Sequence, residues 1–316
     1  MPTVNTVSGP VDTADLGFTL MHEHIMVQSP GVKENFPVFD RRAQIDKAVA
    51  KLREVMARGV RTLVDLTPAD WRDISFVKEV VARSGMQVIV ATGIYWEVPH
   101  FFRALSTRTP EYMAELFARD ITEGIMDTGV RAAVIKCATD ETGVTPDVER
   151  VLRASAKAHR ATGVPISTHT DASRKVGLKQ QDIFESEGVD LGRVVIGHSG
   201  DSDDIEYLTA LMKRGSYNGM DRFGLDQFLP QEKRVSTIAR LCELGYAEKM
   251  VLSHDAACYF DWAPEELIPA VVPNWQFNFI PDVVVPALRE AGVADEHVRM
   301  MTVDNPRRVF ERQGPY

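Results

Sequence analysis

Short β-branched runs alternate along the chain with longer amphipathic stretches. "FTLMHEH" (18–24), "RTLVDLT" (61–67), "QVIVATGIY" (87–95) and "AAVIKCAT" (132–139) read as strands. So do "PISTHT" (165–170), "RVVIGHS" (193–199), "SYNGMDRF" (216–223) and "KMVLSHDA" (249–256). Apolar positions of helical period follow each one: 41–59, 73–85, 110–125, 145–163, 178–188, 201–215, 231–245 and, after a long insertion, 279–292. Helix ends carry their own signals. Thr145 is a natural N-cap, Pro146 takes the first helical position, and Gly163 lies near the stop. The acidic start and the Lys213/Arg214 finish of 201–215 suit its dipole. Strand–helix units repeating in this way predict a parallel sheet, and eight of them predict a closed (β/α)8 TIM barrel. An open doubly wound sheet would often begin with a glycine-rich phosphate loop, and neither GxGxxG nor GxxxxGK[ST] occurs. We expect a single domain over 1–316, with a short lead-in, an insertion at about 256–278 and a last helix ending near "DNPRRVF".

Bulk properties narrow the class. The 316 residues fit a barrel, which needs about 250. A hydrophobic share of 44% and a charged share of 26% are those of a globular domain in water. The net charge of −9 and the lack of a long basic run argue against nucleic acid or an anionic membrane as partner. No signal peptide is evident at the start, and no apolar run approaches the ~20 residues of a membrane span. Cys137, Cys242 and Cys258 are widely spaced and odd in number, which points to a reduced, cytoplasmic setting without disulfides.

In such a barrel the chemistry stands at the C-terminal ends of the strands. Strand 1 ends in His22 and His24. Residues i and i+2 of a strand share a face, so both imidazoles face one point while Glu23 faces away. Tyr95 ends strand 3, Lys136 stands in strand 4, His169 and His198 end strands 5 and 6, and Asp221 and Arg222 end strand 7. Strand 8 ends in His254 and Asp255, of which alternation turns only Asp255 toward the rim. His100, His159 and His297 fall in a loop or on helices and read as solvated surface residues. Tyr95 reads equally as a rim aromatic or a site residue, and Arg222 equally as a structural ion pair or a site residue.

Histidines, an aspartate and a lysine at one rim are costly to desolvate together without a compensating cation. A His/Asp set without thiolate suits Zn²⁺ or, alternatively, Co, Fe or Mn. The ligands outnumber what one catalytic Zn²⁺ takes, so two divalent ions are expected. Lys136 follows an apolar run, where desolvation and nearby cations lower its pKa. The neutral amine can then add CO2, giving a carbamate whose two oxygens bridge two ions. The alternative for Lys136 is an ion pair with Asp140 or Asp255.

The segments holding these residues resemble the phosphotriesterase-like lactonases of the amidohydrolase superfamily. They are "DLGFTLMHEH", "VIKCATDE", "VPISTHT", "GVDLGRVVIGHSGD", "GSYNGMDRFGLDQFLP", "MVLSHDA" and "DNPRRVF", essentially end to end. The resemblance implies that His22, His24 and Asp255 hold the more buried ion and His169 and His198 the more exposed one. It further implies a carboxylated Lys136 and a hydroxide bridging both, with Asp255 as proton acceptor and Tyr95 and Arg222 positioning the substrate. Within the insertion, rich in Tyr, Phe, Trp and Pro, Cys258 and Trp262 are assigned to the substrate wall, Trp262 by its Asp-Trp context. The implied reaction is the opening of N-acyl-homoserine lactones or other γ/δ-lactones, with organophosphate triesters as a side substrate. A dedicated phosphotriesterase or another carboxylic esterase is the alternative. A homodimer is implied as the assembly.

Overall fold

Residues 1–36, 39–103, 109–312 and 314–316 are described by the computed structural model. A hairpin of β1 (Thr3–Thr6) and β2 (Gly9–Asp12) precedes the barrel. The wall is built by β3 (Phe18–Val27), β4 (Val60–Asp65), β5 (Gln87–Gly93), β6 (Val134–Thr139), β7 (Ile166–Thr170), β8 (Val194–Ile196), β9 (Tyr217–Met220), β10 (Met250–Leu252) and β11 (Ala257–Phe260). These nine strands form one sheet in the order β10-β9-β8-β7-β6-β5-β4-β3-β11, all parallel. Helices at Arg41–Met56, Ile74–Ser84, Pro110–Thr122, Pro146–Thr162, Val176–Ser186, Ile205–Lys213 and Gln231–Glu243 lie between successive strands, within a few residues of the expected bounds. The cap read from sequence holds: Thr145 Oγ1 accepts the N–H of Val148 at 3.2 Å. Such a cap is worth about 1 kcal/mol.

Two features depart from the sequence expectation. The lead-in, to which no strand was assigned from the sequence, forms a hairpin. Val4 and Leu16 join Met21, Val64, Ile89, Val134, Val195, Val251 and Phe310 in an inner apolar core. That core seals the end of the barrel away from the site, while a larger one lies between strands and helices. The eighth wall position is also shared by two short strands. β10 pairs with β9, whereas β11 pairs with β3, Ala257 opposite His24. Between them Asp255 has φ 59°, and its N–H donates to His22 O at 3.0 Å. A left-handed residue turns the chain and breaks the ladder. The expected insertion therefore begins as barrel wall, and the chain leaves the wall only after Phe260.

One close approach fixes the floor of the site. A Cβ at Gly93 would lie 1.9 Å from the carbonyl oxygen of Lys136, and Gly93 has φ +113°. Only glycine lets β5 pass β6 at the height of this lysine.

Candidate metal centre and substrate chamber

Strand alternation brings His22 and His24 to one side of β3, and the other strand ends converge on them. His22 and His198 stack with ring centroids 4.7 Å apart, and His169 meets His198 edge-on at 4.4 Å. Ligand atoms of His22, His198 and Asp255 all lie within 4.8 Å of one another. His24 Nε2 is 3.0 Å from Asp255 Oδ1, and Lys136 Nζ is 2.8 Å from His22 Nε2. His22, Lys136, His169 and His198 are buried.

Hydrogen bonds set which nitrogen of each ring faces the centre. Asp221 accepts from Nδ1 of His22 at 2.8 Å and from Nδ1 of His198 at 2.9 Å. Thr67 Oγ1 donates to Asp65 Oδ1 at 2.5 Å and so accepts from His24 Nδ1 at 2.8 Å. With the Nδ1 protons committed, the Nε2 lone pairs of His22, His24 and His198 turn inward. Among the described residues His198 Nε2 is buried without a hydrogen-bond partner, and the His24 lone pair faces a carboxylate oxygen. A lone pair opposite an anion, beside an orphaned buried nitrogen, is a donor set completed by a cation.

The electrostatics agree. Burial lowers His169 to about 4 and pulls His22 and His198 down, so these rings are neutral and free to coordinate. Burial brings Lys136 down to about 8, against the raising influence of Asp255 and Asp221. Burial alone would raise Asp255, but the Arg222 cation beside it acts the other way and favours the ionised carboxylate. Arg222 Nε donates to Asp255 Oδ2 at 3.0 Å and its Nη1 to Asp201 Oδ2 at 3.1 Å. Tyr95 OH lies 2.7 Å from His169 Nδ1.

Above this floor opens a chamber of about 410 Å³. Its wall includes a run of rings: Tyr95 on Trp71 at 4.7 Å, Trp71 on Trp262 at 4.8 Å, Trp262 on Phe260 at 4.9 Å and Phe260 on Trp275 at 5.8 Å. His22, His24, Lys136, His169, Arg222 and Asp255 are the polar floor.

Most residues singled out from sequence therefore meet in one place, with two corrections. Cys258 is buried and does not line the chamber. Ala257 takes that position on β11, and alternation sends the next side chain to the far face of the wall. His159 is also buried, not solvated. Its Nδ1 lies 2.6 Å from Val164 O and its Nε2 2.7 Å from Tyr316 OH, because its helix presents that face to the barrel. Asp221 was placed at a strand end from the sequence but given no role, and Thr67 was passed over. A buried aspartate at a strand end beside Arg222 was the available signal.

A parallel barrel with an aromatic chamber and a His/Asp cluster able to hold a metal at its C-terminal rim defines the class: a barrel hydrolase. The phosphotriesterase family model matches residues 2–310, and the chain belongs to that family. It is 53% identical to the "Phosphotriesterase homology protein" of Mycobacterium tuberculosis over the whole of both chains. It is 40% identical to the "Aryldialkylphosphatase" of Saccharolobus solfataricus, over 95% of this chain and 96% of that one. A solved structure described as the phosphotriesterase from Mycobacterium tuberculosis superposes with a TM-score of 0.97 at 53% identity, covering 100% of each chain.

Proposed function

We propose that this hydrolase uses two divalent ions to open lactones, N-acyl-homoserine lactones or other γ/δ-lactones, and cleaves organophosphate triesters more slowly. The observation that carries this reading is the convergence of four histidines, Asp255 and Lys136 beneath an aromatic chamber of about 410 Å³. His22, His24 and Asp255 would hold one ion, His169 and His198 the second, with a carboxylated Lys136 serving both. Zn²⁺ suits this nitrogen and oxygen set, as do Co, Fe or Mn. When bound, such ions activate water and polarise the oxygen of a scissile carbonyl or phosphoryl group.

The chain's own residues supply the rest. Asp255, held ionised, takes up the proton released as water adds to the ester. Arg222 keeps that carboxylate oriented through its 3.0 Å bond and stays charged throughout. Tyr95 presents its hydroxyl at the floor, where a ring oxygen can be met. Trp71, Phe260 and Trp262 bury the acyl chain or ring substituent and exclude water. Trp262 is half exposed, as a residue at the chamber mouth should be.

A dedicated phosphotriesterase is the second reading, favoured by the name of the Saccharolobus relative. A panel of lactones differing in ring size and acyl length, run beside an aryl dialkyl phosphate on metal-reconstituted enzyme, separates the two. Higher kcat/KM for lactones supports the first reading, and the reverse order supports the second. Metal analysis giving less than one ion per chain after reconstitution would defeat both.

We place the enzyme in the cytoplasm as a homodimer. Its three cysteines are free and buried, in keeping with a reducing compartment. Among the described residues no helix is long and apolar enough to cross a membrane. Exposed Phe36 and Met126 offer apolar surface to a second copy, and sedimentation at micromolar concentration tests the assembly.

A further inference from the structure

Ser253–Ala256 carries Asp255 across the break between β10 and β11, and this segment is gripped from two sides. On one side stands the buried carboxylate of Glu23. It accepts from the N–H of His254 at 3.0 Å, the N–H of Ala256 at 2.8 Å and the hydroxyl of Ser253 at 2.8 Å. Both amides flanking Asp255 are thereby bound. On the other side the indole Nε1 of Trp275 donates to the carbonyls of His254 at 3.1 Å and Asp255 at 3.0 Å. The φ of 59° at Asp255 is uncommon for a non-glycine residue, although aspartate tolerates it better than most, and these contacts hold the backbone there.

Trp275 belongs to two environments at once. Its ring lines the chamber and packs edge-to-face on Phe260. Its N–H holds the backbone of Asp255. His254 adds a second tie to the same rim segment, since its Nε2 accepts the N–H of Ile280 at 2.9 Å while its Nδ1 lies 2.5 Å from Glu23.

We infer that Trp275 is a positioning residue that couples the fit of the substrate to the placement of Asp255, with Glu23 as the fixed opposing grip. The inference rests on the hydrolytic reading of the site given above. A substrate that seats well leaves the ring where its N–H holds both carbonyls. One that displaces the ring loosens those carbonyls, and Asp255 loses the enforcement of its backbone. Selectivity then shows in kcat as well as in KM.

The test replaces Trp275 in three ways: with its sulfur isostere benzothienylalanine, which keeps the ring and lacks the N–H, with Phe, and with Ala. Phe260→Leu serves as a wall variant that loses a ring and no hydrogen bond. Loss of the N–H is expected to lower kcat about tenfold while KM for a short-chain lactone stays within about twofold. The isostere and Trp275→Phe should also speed the loss of metal to a chelator, a readout independent of turnover. Trp275→Ala should add a rise in KM, and Phe260→Leu should raise KM without speeding metal loss. An isostere variant with wild-type kcat and wild-type metal loss overturns the inference, as does one in which only the melting temperature falls. In both cases an active, metal-retaining wild type leaves the functional reading standing. A wild-type protein that neither retains metal nor hydrolyses either ester overturns that reading and this inference together.

Discussion

Asp221 Oδ2 lies 2.8 Å from Nδ1 of His22, across 199 positions of sequence. The same carboxylate takes Nδ1 of His198 on its other oxygen, so one residue at the end of β9 sets the tautomers of two rim histidines. Asparagine at this position keeps the shape but replaces an acceptor with a donor. Asp221→Asn should therefore weaken metal retention about 10- to 100-fold with little change in melting temperature of the metal-free protein. Competition with a chelator measures it, and unchanged affinity would remove Asp221 from the site.

Lys136 is the next test. Its amine sits in a buried floor position, lowered toward neutrality by desolvation. Lys136→Ala should abolish metal retention and activity, and a short carboxylic acid should restore part of both by supplying the missing anion. Bicarbonate added to CO2-depleted, metal-free wild type should speed reactivation. Full activity in the alanine variant would refute the bridging role.

His159 makes a prediction about acid stability. Val164 O can only accept, so Nδ1 carries the proton and Nε2 accepts from Tyr316 OH. Burial lowers this ring from 6.5 to about 4. Between those values the unfolded ring binds a proton that the folded ring refuses. The contribution is thus complete above pH 6.5, falls as pH drops through that window and levels off below 4. Its full size is roughly 3 kcal/mol. Urea midpoints from pH 7 to 4.5 should fall more steeply in wild type than in His159→Gln, a comparison that cancels the other buried histidines. Parallel curves would assign the acid sensitivity elsewhere.

Trp262 is half exposed and meets Trp71 edge-to-face, with ring centroids 4.8 Å apart. Trp262→Ala should cost less than about 1 kcal/mol of stability, because little of the core depends on it. It should lower kcat/KM for long-chain lactones about tenfold, and less for short ones, through lost apolar burial. Equal losses across chain lengths would take Trp262 out of the acyl wall.

The barrel and its rim were legible because both follow from local periodicity. Strands such as "AAVIKCAT" and helices such as 145–163 announce themselves within a few residues, and a parallel barrel then places every strand end at one face. What stayed hidden depends on partners distant in sequence. Nothing near Asp221 says that it meets His22, and nothing near Glu23 says that it binds amides 231 and 233 positions away. His159 looked solvated because a histidine on an amphipathic helix gives no sign of which face a tail residue such as Tyr316 will cover. Cys258 was misplaced by one step of alternation, since reading 256–278 as a loop concealed that β11 continues the wall. The lead-in hairpin escaped because its strands are only four residues each.

The division of the eighth wall strand gives the barrel a seam. β10 closes onto β9 and β11 onto β3, and the stitch between them is Asp255 and Ala256, whose backbone bonds to His22 and His24 of β3. Closing the cylinder and assembling its floor consequently rest on the same contacts. An opened seam would lose His22, His24 and Asp255 from register together, so a molecule open there should be inactive, and an ion held by these residues would act as a rivet across the join.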